Sequence, residues 1–432
     1  MVTSRKVIVV GAGNAAGYVA KTIVDKGVLR GEVMIIGREG YAPYERPALS
    51  KAFLFGNPPA RLPGFHTCVG GGGSRQPPEW YTENGIELLL NHNVTAIDVA
   101  AKKVTTASGE EYVAEHLVLA TGAAPIVLGT TPGHDSKGIF YLREYDDGLN
   151  LYEALKDRTG QTCIVIGGGY IGLETAAAAT TMGLKVKMVF PEGNIMPRLF
   201  TPEIAKKYED FYAAKGIEIL KEGRLCSEFL ADESGNVRGI LCKRNEEVEE
   251  ISGDMVIVGV GARANTSLVR DQLDMDMGGV KVNGKLETSA PGVYAIGDIA
   301  TFPLKMYDGR MTRMEHVANA RAMAEHVVQV IAGITTEDYD YLPYFYSRVF
   351  NLSWQFFGDS IGNCTVVGDF SPKILAIWVD SGKVMGVFME SPTSDDTSSL
   401  KKIALARPSV DESELASKSS ADEALSLLVA AL

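Results

Sequence analysis

The sequence predicts an α/β fold containing two dinucleotide-type units, because one grammar of strand, glycine turn and helix occurs twice. The first copy is the β-branched run Lys6–Val10, then Gly11-Ala12-Gly13-Asn14-Ala15-Ala16-Gly17 and a helical segment to about Lys26. The second is Cys163–Ile166, then Gly167-Gly168-Gly169-Tyr170-Ile171-Gly172 and the helical pattern Leu173–Ala179. A G-x-G-x-x-G turn is informative in this setting, between a buried strand and a helix. Aromatic alternation beyond about residue 334 adds a third, C-terminal α+β domain.

In the second copy Gly167 permits the tight turn, Gly169 lets backbone N–H groups approach a pyrophosphate, and Gly172 lets helix and strand pack closely. Gly168, Tyr170, Ile171 and Leu173 share that helix N-terminus, whose positive end favours the anion. In the first copy Gly11, Ala12, Gly13, Asn14 and Ala15 hold the equivalent places, and alanine is allowed at the third fingerprint position. The bland reading of either stretch is a plain glycine turn before a helix. Two dinucleotide units predict two dinucleotides, a bound flavin and a diffusing nicotinamide.

With 432 residues the chain is long enough for two or three domains with proper cores. A formal net charge of −12 and the lack of any basic tract argue against nucleic acid as a partner. Cys68, Cys163, Cys226, Cys242 and Cys364 are odd in number and widely spaced. That pattern predicts no metal site, no disulfide framework and no redox-active C-x-x-C pair, and fits a reducing compartment. The segment MVTSRKVIVV leads straight into the first strand, and the apolar run Leu425–Leu432 is too short to span a bilayer. The expectation is a cytoplasmic protein without membrane attachment, acting as a monomer.

Taken in order, the second strand is expected over Glu32–Ile36, ending in Gly37-Arg38-Glu39. An acidic residue there can hold an adenosine ribose, so Glu39 is the candidate, against a solvated strand end. Ala60–Trp80, with its Gly70–Gly73 run, predicts neither regular helix nor strand and reads as a lid or loop. Cys68 inside it could be a redox residue, but without a partner thiol it reads as a packed or bystander cysteine. Leu117–Gly122 is a strand ending in A-T-G. Lys185–Phe190 is a further strand, closed by Pro191-Glu192. Glu192 stands at the spacing where a carboxylate accepts from ribose hydroxyls and repels a 2′-phosphate, which predicts NADH over NADPH. Arg198 nearby would tolerate some phosphate. Asp254–Gly261 closes the unit, with Gly259 and Gly261 near the nicotinamide. Val293–Asp298 reads as a strand, and Arg313–Arg321 is expected to start a helix. Ser391–Ser399 and Ser417–Glu423 read as loop and tail.

Tyr41-Ala42-Pro43-Tyr44-Glu45-Arg46-Pro47-Ala48-Leu49-Ser50-Lys51 resembles a motif of the flavoprotein reductases that include ferredoxin and rubredoxin reductases, apoptosis-inducing factor and plant monodehydroascorbate reductases. The segments LPGFHTCVGGGG and YDYLPYFYSR are similar to those of the last group. The resemblance covers nearly the whole chain to about residue 390. It implies FAD contacts at Arg46, Lys51, Thr95, Thr121, Arg143, Glu144, Asp298, Val317 and Tyr346. Arg143 reads equally as a surface ion pair. Lys51 beside the flavin ring would stabilise negative charge on reduction, with Glu174 as its acidic partner; the plain alternative is a surface lysine and an unrelated helix acid. Glu315 and His316 match a helix-start segment that reaches flavin and nicotinamide, though His316 fits a core or interface histidine as well. Arg321 corresponds to the substrate-binding arginine and Tyr346 to a tyrosine at flavin and substrate.

These matches imply an FAD domain of residues 1–123 and 258–333, interrupted by an NAD domain of residues 124–257, with residues 334–432 as C-terminal domain and tail. The implied activity is hydride transfer from NADH to FAD, NADPH serving less well. Two single-electron transfers to the monodehydroascorbate radical then follow. A reductase of an iron–sulfur protein and a redox-sensing flavoprotein are the alternatives.

Overall fold

The computed structural model describes residues 3–55, 67, 74–371 and 373–432. The chain divides into two compact units, Met1–Pro47 with Arg61–Ala124 and Ala262–Tyr341, and Ala48–Ala60 with Pro125–Gly261 and Leu342–Leu432.

The first unit is organised by Thr3–Val10, which pairs in parallel with Val33–Ile36 on one side and Glu111–Leu119 on the other. Val293–Ala295 joins Glu111–Leu119 in parallel, so residues from late in the chain extend the sheet that its start nucleates. Val7 to Val10 and Val33 to Ile36 are all buried. An unbroken apolar run is what a parallel strand covered on both faces requires. Helix Asn14–Lys26 leaves the first glycine turn and ends at Gly27, whose φ of 68° is the left-handed cap that lacks a Cβ penalty. Helix Val317–Ile331 packs against it. The expected helix start at Arg313 is corrected: Arg310–Arg313 is a strand paired with Ala300–Leu304, and His316 is the N-cap. Arg313 is taken by the ladder and so cannot open the helix.

Within the described part of the glycine- and proline-rich segment, Pro78–Glu83 is a short helix with Pro77 as N-cap, so irregularity does not extend to Trp80. Proline is tolerated at a first helical position, where its missing N–H has no partner to lose. Residues 60–66, Cys68 and the Gly70–Gly73 run lie outside the described residues.

The second unit contains a five-stranded parallel sheet in the order Ile217–Leu220, Lys185–Val189, Thr162–Ile166, Met255–Val258, Ile139–Phe140. Helix Tyr170–Thr181 follows its glycine turn, and Pro202–Ala214 is capped by Thr201 with proline at its first position. A separate antiparallel sheet runs in the order Tyr344–Val349, Leu352–Gly358, Lys383–Glu390, Ile374–Asp380, Asn363–Gly368. Its inner face (Leu375, Ile377, Val387, Met389) packs on Leu400, Ile403, Leu425 and Leu428.

Those last four residues belong to helices where loop and tail were expected, Ser394–Ala406 and Ala421–Ala430. The serine, threonine and aspartate clusters are caps. Thr393 and Asp396 form a capping box, and the Ser420 hydroxyl accepts from Glu423 N–H at 3.3 Å. The unit also holds a buried pair, Tyr208 donating to Glu390, whose other oxygen accepts from the Ser353 amide at 2.6 Å. Burial pushes the Glu390 carboxyl above its usual range.

Candidate functional site

In the first unit the glycine turn is locked by its neighbours and open above. Gly11 has φ +109°, and a Cβ on it would lie 2.3 Å from the Ala120 carbonyl oxygen. Its N–H donates to the Ile36 carbonyl at 2.8 Å. Among the described residues a Cβ on Gly13 would meet only Arg46 Nε, at 3.8 Å. Bare backbone at the N-terminus of helix Asn14–Lys26, where Asn14 and Ala15 open the first turn, fits a pyrophosphate. Ala12 packs under Gly37, leaving no room for a side chain there.

Glu39 lies beyond Gly37 and is held by two donors, the Tyr44 hydroxyl at 2.5 Å and the Arg46 guanidinium. Arg46 also donates to the Tyr44 oxygen at 2.9 Å and sits over that ring. The three side chains thus form one cluster. Thr121 donates to the Asn265 carbonyl at 2.9 Å, and the Asn265 amide returns a bond to the Thr121 carbonyl. Asp298 lies in the turn Gly297–Ile299, whose Gly297 has φ +73° and would place a Cβ 3.4 Å from Ala15. That brings the Asp298 turn to the start of the first glycine helix. Val317 is the first residue of its helix, after the His316 cap, and exposed Glu315 pairs with Arg313. Thr95 sits apart, exposed on Val94–Asp98, with its hydroxyl 3.4 Å from the Thr105 carbonyl.

Arg321 belongs to this unit. Its Nη2 donates to Glu45 Oε1 at 2.9 Å and its guanidinium stands 4.8 Å from the Tyr18 ring centre. Glu45 was not singled out in the sequence, where it is one acid inside Y-A-P-Y-E-R.

The second unit repeats the glycine device. Gly167 has φ +118° with the Gly259 carbonyl 2.3 Å from where a Cβ would stand. Among the described residues a Cβ on Gly169 would meet nothing within 4 Å, whereas one on Gly172 would lie 2.0 Å from the Gly167 oxygen. Gly168 is pressed against the Phe190 ring. Tyr170, Ile171 and Leu173 form the first turn of the helix, with the Tyr170 ring 5.6 Å from Trp354. Burial and the neighbouring Glu174 charge push the Tyr170 hydroxyl well up. Glu192 and Arg198 are exposed beyond Lys185–Val189. Gly259 donates to the Ile166 carbonyl, and Gly261 has φ +111°. Glu144 caps helix Tyr145–Lys156 in a capping box with Asp147, and the Arg143 N–H also donates to Asp147.

Helix Tyr170–Thr181 carries Glu174 inward, to 2 % exposure. Its Oε2 accepts from Lys51 Nζ at 2.9 Å and from the Ser50 hydroxyl; its Oε1 accepts from Ser347 Oγ at 2.6 Å. Lys51 Nζ lies 5.9 Å from the Tyr346 ring centre. Lys51, Glu174 and Tyr346 are therefore gathered in one place, with Ser50 and Ser347 as unforeseen partners. Three donors converge on this buried carboxylate, which holds the lysine side chain in one position.

Residues 5–324 match the family model described as pyridine nucleotide-disulphide oxidoreductase, and residues 342–423 match the C-terminal domain of monodehydroascorbate reductase 3-like proteins. The chain is 48% identical over 423 residues to the monodehydroascorbate reductase of Pisum sativum, covering 95% of this chain and 96% of that one. The chain belongs to the monodehydroascorbate reductase family. A seedling isozyme of monodehydroascorbate reductase from Cucumis sativus is 47% identical, with 95% and 96% covered. Among solved structures, putidaredoxin reductase in its covalent complex with putidaredoxin aligns with a TM-score of 0.87 at 27% identity, covering 99% of this chain and 98% of that one. A ferredoxin reductase from Rhodopseudomonas palustris gives 0.86 at 29%, covering 99% and 100%. The mixed α/β architecture is that of the FAD- and NAD-binding oxidoreductases, with the monodehydroascorbate reductase C-terminal domain attached. The chain is thus an FAD-dependent oxidoreductase by family. Its five cysteines form no C-x-x-C pair. Among the described residues no helix is long and apolar enough to cross a membrane.

Proposed function

We propose that the chain catalyses NADH-dependent reduction of the monodehydroascorbate radical, with FAD on the first unit and the nicotinamide on the second. The observation that carries this reading is the pair of open glycine turns, one per unit, in a chain that lacks a redox cysteine pair. When bound, FAD supplies the conversion of one hydride from the nicotinamide into two single electrons for two radicals. The Gly11–Ala15 turn would seat its pyrophosphate, with Glu39, Arg46, Thr121, Asp298 and Val317 along the rest; Thr95, Arg143 and Glu144 are assigned on resemblance alone. Lys51, fixed by Glu174, would set a positive charge at the flavin edge. Gly168 to Leu173, with Gly259 and Gly261, would shape the nicotinamide site; Glu315 and His316 are assigned to the nicotinamide on resemblance alone. Arg321 would bind the anionic acceptor by charge-assisted hydrogen bonds and Tyr346 would orient it. This reading includes monomeric action in the cytoplasm, where the four described cysteines would stay free thiols as they are here.

The test is steady-state NADH oxidation with enzymatically generated ascorbyl radical, set against ferredoxin plus cytochrome c. Faster turnover with the radical is the expected result. Faster turnover with ferredoxin would favour the second reading, an iron–sulfur protein reductase, which the fold-level likeness to putidaredoxin reductase supports.

Coenzyme preference is attributed to Glu192, an exposed carboxylate past the strand that follows the glycine turn. Glu192→Ala is expected to lower the NADH/NADPH ratio of kcat/KM about tenfold, through lost ribose hydrogen bonds and lost repulsion of a 2′-phosphate. An unchanged ratio would move the specificity determinant elsewhere.

A further inference from the structure

We propose that Glu45 is the positioning residue for Arg321, holding its guanidinium ready for an anionic one-electron acceptor. The proposal rests on the reading of Arg321 as the acceptor's cation. Glu45 is 4 % exposed, yet three donors from two helices converge on it. Oε1 accepts from Arg321 Nη2 at 2.9 Å and from the Tyr18 hydroxyl at 2.7 Å, while Oε2 accepts from Asn14 Nδ2 at 3.2 Å. Asn14 and Tyr18 stand four residues apart on helix Asn14–Lys26, so they share a face.

The cluster fixes Arg321 in two ways. Glu45 sets the edge of the guanidinium fork, and the Tyr18 ring, 4.8 Å from its centre, sets its plane. A free arginine side chain loses substantial rotamer freedom when it binds a ligand. Here that freedom is already restricted, and preorganisation of this kind tightens binding without any new contact. The burial gradient also has the right sense. The Glu45 side chain is 6% exposed and that of Arg321 33%, so an approaching anion meets the cation before the carboxylate. Asn14 carries the link further, because its Oδ1 lies 3.4 Å from the Arg46 N–H and Asn14 itself opens the first glycine helix. The acceptor's arginine is thereby built onto the proposed flavin-binding turn.

The bland alternative is a salt bridge that only joins two helices, and a mutant cycle separates the two. Purified FAD-loaded Glu45→Ala, Glu45→Gln, Arg321→Ala and the double Glu45→Ala/Arg321→Ala proteins are compared for KM and kcat with ascorbyl radical, flavin reduction by NADH, and FAD content. Positioning predicts a KM raised roughly tenfold in both single alanine variants and in the double variant alike, with flavin reduction near the wild-type rate. Glu45→Gln, which keeps an oxygen acceptor but loses the charge, should raise KM only about threefold. If Glu45→Ala fails to fold, the glutamine variant carries the test: a raised KM with normal flavin reduction supports positioning, and an unchanged KM overturns it. Additive effects of the two alanine substitutions would overturn it too, as would parallel loss of FAD, flavin reduction and acceptor affinity in Glu45→Gln. An Arg321→Ala protein with unchanged KM would instead remove the acceptor role of Arg321 itself, and the proposal with it.

Discussion

Glu174→Ala is expected to weaken the second unit and to slow flavin reduction by NADH together. The substitution takes the acceptor from Lys51, Ser50 and Ser347 at once, in a place where Glu174 is 2 % exposed. Removing one partner of a buried ion pair costs on the order of 3–5 kcal/mol, because the other charge is left without compensation. Lys51 would then swing or recruit water, and its charge would no longer stand in one place. Loss of a fixed charge at a reacting centre typically costs about 100-fold in rate. The expected outcome is a lowered melting temperature and a flavin-reduction rate, by stopped flow, about two orders of magnitude down. Glu174→Gln should recover more stability than rate, since the amide oxygen still accepts from one hydroxyl but carries no charge. Wild-type behaviour of Glu174→Ala in both measurements would remove the Lys51–Glu174 pair from the mechanism.

Gly11→Ala and Gly172→Ala are expected to separate the two dinucleotides. At Gly11 a Cβ would stand 2.3 Å from the Ala120 oxygen on a backbone with φ +109°, so both space and conformation forbid it. At Gly172 the Cβ would stand 2.0 Å from the Gly167 oxygen, which is backbone and cannot rotate away. Each helix must therefore lift off its own turn. Gly11→Ala should purify with at least about tenfold less FAD, read from its visible absorbance. Gly172→Ala should stay yellow but bleach about 100-fold more slowly with NADH, since a displacement near 1 Å costs that much in a positioned reaction. The reverse pattern, a colourless Gly172→Ala and a normally reducible yellow Gly11→Ala, would exchange the two assignments.

These turns were legible in the sequence because their requirement is local. A φ above zero, as at Gly11 and Gly167, demands glycine whatever the rest of the chain does. The Lys51–Glu174 pair was accessible only through the motif around Lys51, since 123 residues separate the partners. Ser50, Ser347 and Glu45 carried no comparable signal. Ser347 is 173 residues from Glu174, and Glu45 is 276 from Arg321; no periodicity reports such separations. The helices Ser394–Ala406 and Ala421–Ala430 were hidden by their own caps. Thr393, Ser420 and their acidic neighbours have the composition of a loop, and the apolar stripe that sets the helices appears only afterwards. The strand Arg310–Arg313 escaped for the opposite reason, since a polar two-sided strand has no alternation to read.

The antiparallel sheet that ends the second unit has one consequence for protein engineering. Two of its strands reach into the parallel-sheet part, Ser347 to Glu174 and Glu390 to Tyr208. Cutting the chain before Leu342 would therefore strip a wall from the lysine–glutamate pocket and leave Tyr208 stranded, rather than trim an appendage. A chimera that grafts this module from a relative would work only where the donor brings matching hydroxyl and carboxylate at those two joints.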